Sequence, residues 1–234
     1  MTQDGFAEAF DVADRIPGWL TREQAHDLYT SASGAVPGTA VVEIGSHLGR
    51  SATILASAAP DEVTVVAVDP FPSDWRYGRP DREGLFRANL AAAGLNDRVD
   101  VRVRTSAEEL RAWDSPISVL YIDGAHDVRS VLHDLRWAEH VRHGGEVWVH
   151  DAFSSVGVTL GLLAHVPRSA RLRYAGRTGS LARFVVDTPS TTDRLRMLRE
   201  TPWWVRNLAV KLLLRLRLRR FAAPLGHHGS DDPY

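Results

Sequence analysis

The sequence predicts an α/β fold in which helices cover both faces of a mostly parallel, seven-stranded sheet that ends in a C-terminal antiparallel hairpin. Short apolar runs alternate along the chain with segments of helical periodicity, which is typical of repeated βα units. Acidic residues follow several of these runs directly. In a parallel sheet such positions share the carboxyl edge, where α/β folds bind their ligands.

Each element has its own local signal. Thr21, with Glu23 in the first turn, predicts the start of the second helix. Apolar residues at helical spacing predict a helix over 127–142, and Gly144 with Gly145 is expected to stop it. Predicted helices lie near 5–15, 21–32, 50–59, 81–94, 106–113, 127–142 and 155–165. Predicted strands lie at 39–45, 63–69, 99–104, 117–122 and 146–150, and the hairpin lies near 170–188.

Composition narrows the class of protein. A chain of 234 residues with 44% hydrophobic residues can bury a full core. The net charge of −1 gives no general signal for nucleic-acid binding, and the absence of cysteine excludes disulfides and thiolate metal sites. The first residues lack the features of a signal peptide, and no run of about 18 apolar residues predicts a membrane span. We therefore expect a cytoplasmic protein that does not bind nucleic acid.

The strongest local motif lies between residues 41 and 49. A short apolar strand carries Glu43 and breaks at Gly45, and a helix begins after Gly49. Glycine lets the backbone approach a ligand, and the helix N-terminus offers free N–H donors. The next strand ends at Asp69, whose carboxylate can accept two hydrogen bonds from a ribose diol. These features predict a pocket for a nucleotide-like ligand.

The spacing within this turn separates two classes of ligand. A dinucleotide site needs G-x-G-x-x-G, whereas this chain has E-x-G-S-x-x-G, with an acid before the first of two glycines. A carboxylate beside the turn repels a pyrophosphate and suits a cationic ligand. The pattern resembles motif I of class I S-adenosylmethionine (SAM) methyltransferases. An NAD site and a plain strand–helix turn are the alternatives.

Two further segments sharpen this resemblance. Y-I-D-G-A-H (121–126) and G-G-E-V-W-V-H-D (144–151) are similar to segments of small bacterial O-methyltransferases of the macrocin and novobiocin sugar type, and more distantly of the catechol type. The resemblance spans about residues 18–188 and implies a Rossmann-like class I methyltransferase fold in a domain of residues 1–190. It implies a SAM site formed by Glu43, Gly45, Ser46, Gly49, Ser51, Asp69, Ser106 and Asp123.

The same resemblance implies a divalent metal, usually magnesium, bound by Asp123 and Asp151. The residue after the second acid is normally Asp or Asn in these families, but this chain has Ala152. His126, His150 or water could supply the metal ligand that Ala152 lacks. Two carboxylates and solvent can supply the octahedral oxygen ligands that magnesium prefers.

Methyl transfer to a hydroxyl needs a positioned acceptor oxygen and a group that removes its proton. A sugar hydroxyl is a very weak acid, so a cation that lowers its pKa assists the reaction. Histidine titrates near neutral pH, so we interpret His126 as the general base and Asp123 as a second catalytic residue. Structural roles for His126 and Asp123 are the alternatives. Asp127 is expected to be the N-cap of its helix.

The expected acceptor is a hydroxyl of a sugar or glycosylated metabolite, either a small molecule or an oligosaccharide. Aromatic residues stack on sugar rings, so Trp75 and Tyr77 in the loop over 70–80 are candidate substrate contacts, together with His150. A phenolic, catechol-type O-methyltransferase is the alternative within the same class. An NAD-linked oxidoreductase and a non-catalytic nucleotide-binding module are the alternatives from other classes.

Residues 191–234 carry a separate signal. Thr201 and Pro202 resemble an N-cap and the first residue of a helix, and apolar and basic residues mix over 202–221. Basic amphipathic helices can lie on anionic membranes, but these apolar positions do not form one clean stripe. We expect first a packed helix or a homodimer contact, and second a peripheral membrane or acyl-chain contact. The tail after Pro224 is expected to be disordered.

Overall fold

The computed structural model describes residues 3–72, 81–221 and 223–225. The strands are β1 (Ala40–Ile44), β2 (Thr64–Val68), β3 (Val99–Arg102), β4 (Ile117–Ile122), β5 (Val141–Val149), β6 (Leu172–Thr178) and β7 (Leu181–Val186). The helices are α1 (Gln3–Ala13), α2 (Arg22–Ser33), α3 (Arg50–Ala58), α4 (Arg82–Ala92), α5 (Ser106–Leu110), α6 (Val128–Asp134), α7 (Val156–His165), α8 (Thr191–Leu198) and α9 (Thr201–Arg215).

The strands form one seven-stranded sheet in the order β3-β2-β1-β4-β5-β7-β6. The strands from β3 to β5 in this order pair in parallel, whereas β7 runs antiparallel to both β5 and β6. The order along the chain reverses between β1 and β4, and open α/β sheets bind ligands at such a switch point. The predicted α/β fold with a C-terminal antiparallel hairpin is confirmed.

Successive residues of a strand point to opposite faces of the sheet. Because the strands carry apolar residues on both faces, helices cover both of them. On β1, Val41 packs in a core with residues of α1, α2 and α3, whereas Val42 packs in the core of the other face. All five residues of β1 are buried, as expected for a central parallel strand. Glu43 shares the face of Val41, so its carboxyl group is buried within the fold.

The predicted helix over 127–142 is wrong in its second half. After α6, residues 135–139 form a 3₁₀ turn, and Val141 pairs with β4 as the first residue of β5. From Leu132 onward the apolar residues recur at every third position, which suits a 3₁₀ turn as well as a helix. β5 therefore begins five residues before the predicted start at 146, and Gly144 lies in an irregular part of this strand.

Two helices follow the hairpin. α8 begins at a capping box formed by Ser190 and Asp193, and the sequence prediction lacks this helix. α9 has Glu200 at its N-cap and Thr201 as its first residue, so the predicted N-cap role of Thr201 is wrong. Across the described ranges, every helix is too short or too polar to cross a lipid bilayer. Residues 226–234 lie outside the described residues, so the disordered tail stays a prediction.

One side of α9 is tied to the loop that follows β5. The Asn207 side-chain amide donates a hydrogen bond to the carbonyl oxygen of Phe153 (3.0 Å), and the Lys211 ammonium donates one to the carbonyl oxygen of Ser154 (2.9 Å). Asn207 and Val210 are fully buried. Because this loop begins at the strand end that carries Asp151, α9 supports the part of the fold that holds a predicted site residue.

Asn207→Ala should lower the free energy of unfolding by about 1–3 kcal/mol, because it leaves the buried Phe153 carbonyl oxygen without its donor. Leu212→Ala, on the exposed side of the same helix, should change this free energy by less than about 0.5 kcal/mol. Urea denaturation followed by circular dichroism measures both variants. Equal stabilities of the two variants would contradict the role given to Asn207.

Candidate active site

The turn between β1 and α3 brings the first strand against the end of β4. Gly45 has a φ of +88°, and a Cβ atom there would lie 2.2 Å from the carbonyl oxygen of Asp123. Gly49 has a φ of +94°, and a Cβ atom there would lie 3.1 Å from the ring of Phe86. Glycine alone combines this backbone conformation with so little space. The fold therefore explains both glycines of the predicted motif.

Glu43 lies beneath this turn and is fully buried. The Ser51 hydroxyl donates a hydrogen bond of 2.5 Å to its carboxyl group. Burial raises the pKa of Glu43 to about 7; the hydroxyls of Ser51 and Ser46 oppose this shift, and the charges of Asp123 and Asp69 add to it. Glu43 is therefore only partly ionised at neutral pH, and a neighbouring cation would favour its charged form.

Asp69 follows β2 and closes the turn from the other side. Its Oδ2 accepts hydrogen bonds from the backbone N–H groups of Ser46 and His47, both at 3.0 Å, and its Oδ1 accepts one from Phe71 at 2.6 Å. The guanidinium of Arg82 is buried beside it, 4.0 Å from Oδ1. An ionised carboxylate has about four acceptor sites, so Asp69 retains capacity for a ribose hydroxyl.

Ser106 begins α5 and donates a hydrogen bond to the carboxyl group of Asp134, whose pKa is raised to about 6 by burial. A groove of about 460 Å³ opens next to this helix start, between the ends of β2 and β3. It is lined by Pro70, Val103, Arg104, Thr105 and Glu108. Another cavity, of about 190 Å³, lies at the opposite end of β4, near Ser118 and Glu146 and away from the acids of the carboxyl edge.

The ends of β4 and β5 bring Asp123, His126 and Asp151 together. The possible metal-ligating atoms of these three side chains all lie within 4.8 Å of one another. Nε2 of His126 is 3.2 Å from Oδ2 of Asp151 and 4.0 Å from Oδ1 of Asp123. The His126 ring is half-exposed, whereas the two carboxyl groups are more deeply placed. The residues that were predicted to carry the chemistry therefore converge.

Mutual electrostatics keep this cluster charged. The neighbouring carboxylate of Asp123 raises the pKa of His126, burial opposes the shift, and the charge of Asp151 adds to it. Burial favours a higher pKa for Asp123, but the charge of His150 and the neighbouring ring of His126 lower it well below the usual range. The carboxylates are therefore ionised at neutral pH, and each lies beside a histidine whose pKa is raised.

His150 lies beneath the two aspartates and is buried. Its Nδ1 is 3.5 Å from Oδ1 of Asp123 and 3.7 Å from Oδ2 of Asp151, and its Nε2 is 3.4 Å from Oε1 of Gln24. Burial lowers the pKa of His150, but the charges of Asp123 and Asp151 outweigh this effect and raise the pKa to about 10. The ring supports the pair from below, and its predicted substrate contact stays a prediction.

Sequence reasoning missed two residues of this site. The Tyr121 hydroxyl donates a hydrogen bond of 3.0 Å to Oδ2 of Asp123. Positions two apart in a strand share a face, so this neighbour could have been found from its spacing. Gln24 lies 126 residues before His150, and its side-chain amide donates a hydrogen bond to the Ser180 hydroxyl. No local pattern signals a contact between such distant segments.

Ala152 occupies the position after Asp151, where the resemblance would place a third metal ligand, Asp or Asn. The side chain is fully buried in the core of one sheet face, and its backbone N–H donates to the carbonyl oxygen of Ser180 (2.9 Å). A carboxylate at this position would be buried among apolar groups at a large cost. Two carboxylates and the His126 imidazole still suit a divalent cation completed by water, since carboxylates suit magnesium and imidazole suits transition metals.

The predicted residues thus fall into three groups. Glu43, Gly45, Ser46, Gly49, Ser51 and Asp69 surround the first turn, while Asp123, His126, His150 and Asp151 form the neighbouring cluster. Ser106 lies beside the groove, on α5. Trp75 and Tyr77 lie outside the described residues, so their substrate role stays a prediction. Asp127 is the N-cap of α6, as predicted.

Comparison with known proteins finds a family match and several similar folds. Residues 42–152 match a family model described as a methyltransferase domain. The chain is similar to the O-methyltransferase TomG from Streptomyces achromogenes, solved with SAM (19% identity, TM-score 0.58, covering 80% of this chain and 91% of that one). It is also similar to an O-methyltransferase from Bacillus cereus, solved with SAH (19% identity, TM-score 0.55, 79% and 92% covered).

A third similar structure is a TDP-rhamnose 3′-O-methyltransferase of calicheamicin biosynthesis (16% identity, TM-score 0.51, covering 78% of this chain and 93% of that one). These similarities confirm the predicted Rossmann-like class I methyltransferase fold, with the antiparallel hairpin at its end. Residues 42–152, which match the methyltransferase-domain model, hold both the glycine turn and the Asp123–Asp151 pair.

Glu43→Gln should remove a pH dependence of stability. Because the pKa of Glu43 is about 7 in the folded protein and 4.5 in an unperturbed glutamate, the contribution of Glu43 to the free energy of unfolding falls as the pH rises from 4.5 to 7. A glutamine, which stays neutral, avoids this loss. The stability difference between variant and wild type should grow across that window by on the order of 3 kcal/mol and then stay constant. Urea titrations at several pH values measure it, and parallel curves would contradict the burial argument.

Proposed function

We propose that the protein is a SAM-dependent O-methyltransferase. The observation that supports this best is the contact of Gly45 with the end of β4, which places a pocket of Glu43 and Asp69 beside the cluster of Asp123, His126 and Asp151. A cationic methyl donor suits an edge that carries several carboxylates. An NAD-linked oxidoreductase is disfavoured because the turn lacks the third glycine and carries an acid.

The cofactor pocket divides into two parts in this proposal. Asp69 accepts hydrogen bonds from the ribose diol, and the groove beside Ser106 receives the adenine. The turn from Gly45 to Gly49 lies against the amino-acid part of the cofactor, above Glu43. Because Glu43 is only partly ionised at neutral pH, a cationic ligand would favour loss of its proton.

The acceptor hydroxyl loses its proton while its oxygen takes the methyl group, and the sulfonium becomes a thioether. His126 is placed to accept this proton, because its ring is half-exposed above the more deeply placed aspartates. It must be neutral to act as a base, but the two carboxylates raise its pKa. A cation bound to the two carboxylates would offset their negative charge, and the imidazole would then be neutral more often and able to accept a proton.

We propose magnesium as the cation that Asp123 and Asp151 hold. Bound there, a divalent cation supplies positive charge that orients an acceptor oxygen and lowers its pKa. Nε2 of His126 faces the same two carboxylates, so the imidazole can either complete the ligand set or accept the proton, but not both through this nitrogen. Removal of the metal and removal of the imidazole therefore test separate roles.

A sugar or glycosylated metabolite is the proposed acceptor. The resemblance of the 121–126 and 144–151 segments to sugar O-methyltransferases supports it, as does the similarity to a TDP-rhamnose 3′-O-methyltransferase. A phenolic acceptor is the second candidate, because the same segments resemble the catechol type more distantly. Turnover of TDP-rhamnose against turnover of catechol separates the two classes.

Asp69→Ala should weaken SAM binding by roughly 1.5–3 kcal/mol, the scale of a hydrogen bond to a charged group. Isothermal titration calorimetry with SAM and with SAH measures the loss. Asp100→Ala, an exposed aspartate on β3, is the matched control and should leave the affinity unchanged. Unchanged affinity of a folded Asp69→Ala protein would exclude the ribose contact, and binding of NADH in place of SAM would overturn the class.

His126→Ala should lower kcat by about 10²–10⁴ and leave SAM affinity nearly intact, because it removes a base and no cofactor contact. His143→Ala, whose ring is exposed, serves as the control and should retain full activity. Conversion of SAM to SAH in the presence of each acceptor measures turnover. Full activity of His126→Ala would assign the proton to Asp123 or another group.

Asp151→Ala should lose most activity together with any dependence on magnesium, because it removes one of the two carboxylates of the pair. Turnover after EDTA treatment, followed by add-back of magnesium or of manganese, measures this dependence. Full activity of the wild type in EDTA would remove the metal from the mechanism while leaving the base in place.

A further inference from the structure

The helix α9 has two different apolar sides. Its inner side, with Asn207 and Val210, is fully buried on the rest of the fold. On the opposite side, Val205, Leu212 and Leu216 are 56%, 58% and 56% exposed. Spacings of seven and four residues place these three side chains along one stripe. Because apolar residues lie on two sides of this helix, its sequence does not show a single apolar stripe. The inner side packs within the chain.

Positive charge is concentrated in and just after α9. Residues 201–221 contain six basic residues and no acidic one, which leaves the rest of a chain of net charge −1 at −7. Arg215, Arg217 and Arg220 are exposed. Further exposed apolar side chains lie between and after these arginines, namely Leu218, Phe221 and Leu225. The end of the described chain therefore presents aliphatic and cationic groups to solvent in alternation.

We propose that this basic apolar surface, formed by the outer stripe of α9 and the exposed residues of 217–225, binds the surface of an anionic lipid bilayer. Leucine and valine side chains can enter the boundary between headgroups and acyl chains, while arginine guanidinium groups reach the lipid phosphates. A negatively charged bilayer attracts each basic residue near it. None of the residues of this surface lies in the site to which methyl transfer is assigned.

A second copy of the chain fits this surface less well. A symmetric dimer contact uses the same patch on both subunits, so it would bring Arg215, Arg217 and Arg220 of each copy together without an acidic residue in 201–221 to pair with them. Like charges at close range destabilise such a contact. An anionic bilayer instead offers the opposite charge and an apolar layer beneath it.

Co-sedimentation of the full chain with vesicles tests the proposal. The protein should pellet with vesicles that contain phosphatidylglycerol, stay in solution with pure phosphatidylcholine, and be released by about 1 M salt, which screens surface charge. Arg215→Ala and Arg217→Ala should each lower the partition coefficient by about fivefold, the equivalent of about 1 kcal/mol per basic residue. The double variant Leu212→Asp and Leu216→Asp should lower it by about tenfold or more.

Matched variants elsewhere on the surface test whether any loss of an exposed leucine or arginine lowers vesicle binding. Leu160→Asp on α7 and Arg136→Ala after α6 replace exposed residues of the same types and should bind vesicles like the wild type. Circular dichroism confirms that each variant is folded. Equal pelleting with both kinds of vesicle, or with neither, would overturn the proposal. Light scattering that shows a dimer, converted to monomers by Leu212→Asp, without vesicle binding, would assign the surface to a second copy instead.

Discussion

The close approach of Gly45 to the carbonyl oxygen of Asp123 is the constraint on which the site depends. A Cβ atom at position 45 would lie 2.2 Å from that oxygen, so any side chain would push the ends of β1 and β4 apart. The backbone N–H of Asp123 also donates a hydrogen bond of 2.8 Å to the carbonyl oxygen of Ile44. The strand ends are therefore joined where the sheet order reverses, and the pocket of Glu43 and Asp69 borders directly on the acid–histidine cluster.

The carboxyl groups at this edge are accommodated in three physical ways. Glu43 is buried, and burial raises its pKa to about 7. Asp69 is held by backbone N–H groups of the glycine turn, so the group proposed to bind ribose also shapes that turn. Asp123 and Asp151 are held by the two histidines, one half-exposed and one buried. Only the last pair combines ionised carboxylates with an accessible neighbour, which is why the chemistry is placed there.

The order of the elements and the convergence of Asp123, His126 and Asp151 could be predicted from the sequence. Neighbouring parallel strands end at one edge, so residues that follow β4 and β5 must lie close together. The boundary between α6 and β5 could not be predicted, because apolar residues at every third position fit two kinds of helical turn. The support of His150 by Gln24 could not be predicted either, since it depends on how α2 packs against the sheet.

The burial of Ala152 shows how backbone conformation, rather than residue type alone, shapes the cluster. Asp151 and Phe153 both have positive φ angles, 55° and 57°, and the residue between them points into the core. Such conformations cost energy and persist where the surroundings hold them. Asn207 and Lys211 of α9 bind the backbone of this loop, so the helix that stabilises the geometry of Asp151 also carries the basic apolar surface. A surface that binds the outer side of α9 in its packed position would stabilise the loop as well, since a ligand that binds only the packed state favours that state. The proposed bilayer contact and the proposed metal pair are thereby linked through the hydrogen bonds that Asn207 and Lys211 donate to the loop after β5.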